Sequence, residues 1–463
     1  MIVMKFGGSS VADAACMREV AALAAEALPE APLVVLSATA RTTDTLFEAA
    51  RRAEDGDLAA AVDLQRQIIE RHRGIALDLF PEGVPGALEG ALAELGGELD
   101  LLLRGVAMLR ELSPRSMDAI ASVGERLSTR ILAAHLGAAW VDARTVVRTD
   151  DRFGSALPQS SVVRTDDRFG SALPQSGELA ALAAQHLAPL LGPGRVVVTQ
   201  GYIGATARGL TTTLGRGGSD FSAALYGAAL GASDIQIWTD VEGVLTCDPR
   251  VVPEAQPIAE LSFAEAAELA AFGAKVLHPA TIQPAVEAGI PVTVRHTRRP
   301  HGRFTTITAA VRTGRPITAL AQRGPVTVLT VTSANMLNQS GFLASLFQVF
   351  SRHRISVDLI ATAEVSVSLT VDADAPLDAL LEDLAAFATV GVARDRTIVA
   401  IVGEQLKLTP GVTGRAFSAL RAINVEMISM GANEINLSIV VRQEDAKPAL
   451  RSLHAALIEE SLP

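Results

Sequence analysis

The sequence predicts an α/β protein: a mostly parallel sheet sandwiched by helices, followed by two smaller α/β modules. Three observations carry this reading. From the N-terminus to about residue 296, short apolar runs that stop in glycine- or hydroxyl-rich turns alternate with helical stretches, the alternation that parallel sheets require. Beyond about residue 322 the order changes to strand, helix, strand, strand, and does so twice. A chain of 463 residues, 49% hydrophobic and 20% charged, exceeds one compact core and is too apolar for global disorder.

The elements follow in order. Ile2–Phe6 is a short apolar run that stops at Gly7-Gly8, and Ser9-Ser10 then lead as a cap into an alanine-rich helix. Pro32–Leu36 is a second buried strand, running into the polar turn SATARTTDTL and another helix. Residues 57–113 read as a helical subdomain beside the sheet. VVRTDDRFGSALPQS occurs twice, at Val146–Ser160 and Val162–Ser176. Two copies make no stacked array; a tandem duplication, or an error in the recorded sequence, explains them more simply than a structural repeat. Alternation resumes with RVVVTQGYIG, TTTLGRGGSD, a helix from about Phe221, the strand and turn DIQIWTDVEGVLTCDPR, a helix ending near Gly273 and the strand PVTVRH. Residues 300–325 are polar and punctuated by Gly and Pro, as a linker would be. The expected organisation is a catalytic domain over 1–305 and two βαββαβ, ferredoxin-like modules over 322–395 and 396–463.

Composition excludes several classes. Lys+Arg 40 against Asp+Glu 51 gives a formal charge of −11, so nucleic acid is not expected as a partner. Cys16 and Cys247 are the only cysteines, which excludes a disulfide scaffold and suits a reducing cytoplasm. No apolar run approaches a membrane span, and the N-terminus has no signal-peptide core.

Several motifs could carry chemistry. KFGGSSV (Lys5–Val11) sets a lysine at a strand end before glycines and hydroxyls at a helix start, where backbone N–H groups and the helix dipole favour an anion; a tight turn with an exposed lysine is the plain alternative. LGRGGSD (Leu214–Asp220) repeats the pattern, Arg216 offering a fork for a carboxylate and Asp220 an anchor for Mg²⁺ or a lysine, unless it is a surface turn. In SVGERLST, Glu125 reads as a first-turn glutamate complementing the dipole. Thr239, Asp240 and Arg250 flank a strand end. Lys275 stands among Ala, Gly and Val and needs an anion or a route to solvent; His278 reads as structural. No residues have metal-cluster spacing.

Taken together, KFGGSSV, VVLSATARTTDTL, GERLST, RFGSA, TTTLGRGGSD, WTDVEGVLTCDPR and FGAKVLHPAT resemble the aspartate kinases over nearly the whole chain. The C-terminal units resemble that family's paired ACT domains, and NMLNQSGFLASLF with SVDLIATAEVSVSLTVD resembles the monofunctional, lysine-inhibited type. The resemblance implies an amino-acid-kinase-type fold and transfer of the γ-phosphoryl of ATP, with Mg²⁺, to the β-carboxylate of L-aspartate. It implies that Lys5 contacts the moving phosphoryl group with Asp220 organising the cations, and that Gly7, Gly8 and Ser9 line the phosphate cradle. Ser37, Ala38 and Thr43 would form the substrate turn, Glu125 would take the α-ammonium and Arg216 the α-carboxylate. Thr239, Asp240, Arg250 and Lys275 would face the nucleotide. Met336, Phe342, Leu343, Ser356, Val357 and Asp358 would form a lysine effector pocket, and the ACT domains would pair in a homodimer. The chain would end without a fused homoserine dehydrogenase. Two departures from the pattern, Arg41 in the substrate turn and Leu245 near the adenine, bear on the two substrate contacts. Another amino-acid kinase, or an inactive amino-acid sensor that keeps the ACT pair, are the rival readings.

Overall fold

A computed structural model describes residues 1–151, 153, 176–215, 217–273, 277, 281–309, 311, 316–336 and 340–459. Its larger sheet has eight strands in the order Ala139–Val141, Val197–Gln200, Leu33–Leu36, Ile2–Phe6, Asp234–Thr239, Val292–His296, Thr305–Thr308, Glu260–Ser262. Neighbours are parallel except Val292–His296 with Thr305–Thr308, which is antiparallel. Alternate side chains of the first strand enter different cores: Ile2, Met4 and Phe6 pack with the helices of residues 14–136, while Val3 faces the helices on the other side. Lys5 shares the face of Val3, since residues two apart on a strand point the same way.

The expected helical subdomain is a pair of long helices, Leu58–Leu79 and Gly86–Leu109. The second buries Leu88, Leu92, Leu95, Leu99, Leu103 and Val106, a three- and four-residue spacing that turns one stripe inward. Each such leucine contributes about 1.5–3 kcal/mol by leaving water.

Three local expectations are corrected. Asp13, not a serine, caps the first long helix, Ala14–Glu26, its Oδ1 accepting from the Cys16 N–H at 2.8 Å. Gly8–Val11, with Ser9-Ser10 inside it, forms a separate 3₁₀ turn. Glu125 does not open a helix: Pro114–Leu136 is continuous, capped by Ser113 with proline at its first position. Complementing a helix dipole therefore does not explain Glu125. Third, the stretch expected as a linker contains the strand Thr305–Thr308, whose Thr305 and Ile307 are fully buried at 0% exposure.

The C-terminal strands form one antiparallel sheet of six, ordered Ile360–Thr362, Ser366–Asp372, Ala319–Thr332, Thr389–Val402, Asn436–Arg442, Met427–Met430. The two central strands are 14 residues each and pair along their length with register shifts between Arg323 and Val328. One half of each serves each module, so the second module also uses Ala319–Arg323, from ahead of the first. Helices Phe342–His353 and Asp378–Ala385 close the first module's core, and Val412–Ala419 and Ala446–His454 the second's. Cys247, Val251 and Val252 of the larger domain join the second module's core.

Candidate active site

The candidate site lies at the carboxyl edge of the parallel strands, where α/β sheets gather their loops. Register brings Phe6 beside both Leu36 and Trp238, so the turns after these strands start level with one another. Gly201 follows the next strand, its N–H donating to the Leu36 carbonyl at 2.9 Å. These turns are packed to contact. A Cβ on Gly8 would lie 2.8 Å from the Ala38 carbonyl oxygen, one on Gly124 2.8 Å from the Ala38 Cβ, and one on Gly201 2.7 Å from the Ser219 Cβ.

Lys5 Nζ lies 2.6 Å from Asp220 Oδ1, both side chains mostly buried. A Cβ on Gly7 would stand 3.8 Å from that ammonium, so the lysine lies over the glycine turn rather than in open solvent. Asp220 is in the first turn of the helix Gly218–Leu230, whose N-cap Gly217 adopts φ +74°, a left-handed conformation that glycine reaches without strain. The helix starts three residues before the expected Phe221. Its Ser219 accepts a hydrogen bond from Ser37 Oγ at 3.0 Å.

Glu125 is 3% exposed. Its Oε1 accepts from the Ala38 N–H at 3.2 Å, while its Oε2 is buried with no hydrogen-bond partner. Burial raises its pKa to about 8, against the opposing pull of the Ala38 N–H. Burial, and then the Glu125 charge, push the Tyr202 phenol up; Tyr202 sits at φ +70° in the turn after Gly201. Lys5, Gly7, Gly8, Ser37, Ala38, Glu125 and Asp220 are thus linked by direct contacts: a cation held by a carboxylate beside a glycine turn, next to a buried carboxyl with one oxygen free. Such a site offers a positive group to a phosphate and an acceptor to an ammonium.

Residues 1–296 match the model of the amino acid kinase family, and 329–381 and 399–457 match that of the ACT domain. The lysine-sensitive aspartokinase 3 of Escherichia coli is 40% identical, covering 99% of this chain and 99% of its own. Two crystal structures of E. coli aspartokinase III, one with lysine and aspartate and one with aspartate and ADP, match at TM-scores of 0.80 and 0.79, each over 99% of both chains. The chain belongs to the aspartokinases. It is an ATP-dependent kinase that phosphorylates aspartate, with regulatory ACT domains after its catalytic domain.

Not every expected residue falls in the contact cluster. Arg216 and Lys275 lie outside the described residues, as do His278 and most of the duplicated segment. Ser9 is exposed; Ser10 is the buried one, bonding Thr297 Oγ1 at 2.8 Å, and Thr297 in turn donates to the Thr239 carbonyl at 3.1 Å. Thr43 is half-buried at the start of the helix Thr42–Glu54; Thr239 is half-buried at the end of the strand Asp234–Thr239, and Asp240, just beyond it, is exposed. Arg250 is exposed and forks onto Asp248 at 2.7 and 3.0 Å. Arg41 adopts φ +68° with its side chain exposed, a left-handed conformation that glycine reaches without strain. Leu245 is half-buried, bridging Pro257. Ser219, Tyr202 and Ser10 were not expected; each meets the site through a partner far away in sequence.

In the regulatory sheet, Arg323 donates to Asp358 Oδ1 at 2.9 Å and to Asp372 Oδ1 at 2.8 Å. Asp358 Oδ2 is buried without a partner, and burial raises that carboxyl's pKa. Phe342 is buried, Met336, Ser356 and Val357 are half-buried and Leu343 is exposed.

Proposed function

We propose that the Lys5–Glu125 cluster holds both reactants of the aspartokinase reaction, with Lys5 on the transferring phosphoryl group and Glu125 on the substrate's α-ammonium. The observation that carries this is the pairing of one mostly buried ammonium, placed by Asp220, with one buried carboxyl whose Oε2 has no partner. Phosphoryl transfer between oxygens asks mainly for positioning and for stabilised charge on the phosphoryl oxygens. The acceptor is already a carboxylate at neutral pH and needs no base. Gly7 and Gly8 bring backbone close to the phosphates. Ser37, Ala38 and Thr43 shape the aspartate turn, and Arg216 clamps the α-carboxylate. Thr239, Asp240, Arg250 and Lys275 are assigned to the nucleotide.

A kinase using ATP requires a divalent metal, here assigned as Mg²⁺. Among the described residues no three His, Cys, Asp or Glu side chains form a metal cluster, and Asp220 is already committed to Lys5. That donor set fits an ion carried largely by phosphate oxygens, with Asp220 as the nearby hard oxygen; when bound, the ion neutralises phosphate charge.

The first ACT module is assigned a lysine effector site at Met336, Phe342, Leu343, Ser356, Val357 and Asp358, supported by the free Asp358 Oδ2. Exposed Ile360, Val392, Ile428 and Met430 on the regulatory sheet support pairing of two chains through it. Buried, unpaired Cys16 and Cys247 support a reducing, cytoplasmic setting; among the described residues no helix is long and apolar enough to cross a membrane. The test is a hydroxamate assay with aspartate, ATP and Mg²⁺ under lysine titration. Turnover that lysine suppresses, and that Glu125→Gln impairs through the KM for aspartate, supports the assignment. An unchanged aspartate KM in Glu125→Gln, or turnover that lysine leaves unaffected, overturns it.

A further inference from the structure

We propose that His72, on a helix outside the sheet, is a positioning residue for aspartate, fixing the Ser37–Thr42 turn through the hydroxyl of Thr39. This deepens the reading above and rests on its assignment of that turn to the substrate. His72 comes from the helical subdomain and is 0% exposed. Its Nδ1 lies 2.7 Å from the Ile68 carbonyl oxygen and its Nε2 3.2 Å from Thr39 Oγ1. A carbonyl can only accept, so Nδ1 carries the proton, and in a neutral ring Nε2 must then accept. Thr39 therefore donates to His72, leaving its oxygen to accept from Thr42 Oγ1 at 2.6 Å. Burial favours the neutral ring this requires, lowering the His72 pKa to about 4.

The chain of bonds is one-directional, Thr42 to Thr39 to His72 to Ile68, and every member is buried: Thr39 is 1% and Thr42 2% exposed. It runs beneath Ala38, whose N–H holds Glu125. The adjacent Arg71 grips the same turn from outside, donating to the Ala40 carbonyl at 2.6 Å and to the Ala12 carbonyl at 3.0 Å. One helical turn thus fastens the aspartate turn at two points, and among the described residues neither His72 nor Arg71 hydrogen-bonds to a residue assigned to the nucleotide. Its geometry sets where the Ala38 amide and Glu125 stand, and so acts first on aspartate affinity; the same turn meets Gly8 through backbone, the Ala40 N–H donating to the Gly8 carbonyl at 3.0 Å.

The test compares His72→Leu, His72→Gln, Thr39→Val and Thr39→Ser in the full chain by steady-state kinetics and thermal melting. Losing a buried hydrogen bond and stranding its partner predicts an aspartate KM raised about tenfold in His72→Leu and Thr39→Val. The KM for ATP should stay within about twofold and kcat should be largely retained. Thr39→Ser, which keeps the hydroxyl, and His72→Gln, whose carbonyl can accept, should recover most of the affinity. The double variant should be no worse than either single one, because the bonds act as a unit. Unchanged aspartate KM in Thr39→Val, the milder of the two changes that remove the bond, overturns the proposal; so does a rise in both KM values that tracks a lost melting temperature. Glu125→Gln is run alongside: if it raises the aspartate KM while the His72 and Thr39 variants do not, this inference alone fails, and if it too has no effect the site assignment fails with it.

Discussion

Glu125 offers the most exposed prediction, because the same carboxyl is asked to be neutral when the site is free and charged when it is filled. Its pKa in the free enzyme stands at about 8, raised by burial. An ammonium at the unpartnered Oε2 requires the ionised form, so aspartate binds only the ionised fraction of the enzyme. At pH about 6.5 that fraction is about 3%, and at pH about 8.5 it is about 76%, so the aspartate KM should fall roughly 25-fold between them, about 1.9 kcal/mol. Near pH 7, binding should release close to one proton, since about nine-tenths of the sites start protonated. Two assays read this: the aspartate KM against pH at saturating ATP, and titration calorimetry in buffers of different ionisation enthalpy. Glu125→Gln should flatten the profile and abolish proton release. Stability changes with pH in the opposite sense. Between about pH 4.5 and 8 the native carboxyl holds a proton that the unfolded chain has released, so this contribution is full at low pH and lost as pH rises through 8. A flat aspartate KM in the unaltered enzyme, or the same slope in Glu125→Gln, would refute the assignment of Glu125 to the ammonium.

Three further predictions follow from other contacts. His72 has a folded pKa of about 4 against an ordinary 6.5; the unfolded chain binds the proton first as pH falls, so stability present above about pH 6.5 should drop by about 3 kcal/mol by pH 4, and a thermal-melt series of His72→Gln should lack that component. Gly124→Ala places a methyl 2.8 Å from the Ala38 Cβ and 3.3 Å from Thr42 Cγ2, which should cost about 1–3 kcal/mol in chemical denaturation and raise the aspartate KM by displacing the turn. Thr370 is 0% exposed and its Oγ1 accepts the Leu359 N–H at 2.9 Å, next to Asp358; Thr370→Ile strands that N–H, so lysine titration should show weakened inhibition with uninhibited turnover largely intact.

Legibility in the sequence followed the range of the interactions. The alternating runs showed the parallel sheet because each strand and its turn are local, and Lys5 at a strand end before glycines was readable for the same reason. The ion pair it forms joins Lys5 to Asp220, and only its two ends could be named. Glu125 was misplaced because SVGERLST has hydroxyls that imitate a helix start, whereas Ser113-Pro114, a cap followed by proline, was the stronger signal eleven residues earlier. The strand Thr305–Thr308 hid among Gly and Pro because its neighbours, not its own composition, bury it. The one-sheet arrangement of the regulatory half was unreadable, since nothing local says that Ala319–Arg323 serves the later module. His72 had no signal at all: its partner Thr39 is 33 residues away, and a helical histidine on an apolar stripe reads as core.

In the sites proposed above, Glu125 and Asp358, each with a buried carboxyl oxygen that has no hydrogen-bond partner, would solve one physical problem in two domains. An amino acid's ammonium is gripped firmly only by an anion kept out of water, and an anion out of water is costly until its partner arrives. Each site lowers that cost differently. Glu125 has one backbone N–H and is driven toward the neutral form, so its charge is created on binding. Asp358 keeps an arginine on one oxygen while burial still raises its pKa, so Arg323 offsets part of that cost before any ligand arrives. On that reading the catalytic carboxyl couples affinity to pH, whereas the regulatory one shares Arg323 with Asp372. A ligand at Asp358 would act, through Arg323, on the strand pair Ala319–Thr332 with Ser366–Asp372, whose far end forms part of the second module. That module's core contains Cys247, Val251 and Val252 of the catalytic domain, so a shift in the shared strand has a packed route to the loop that follows Thr239.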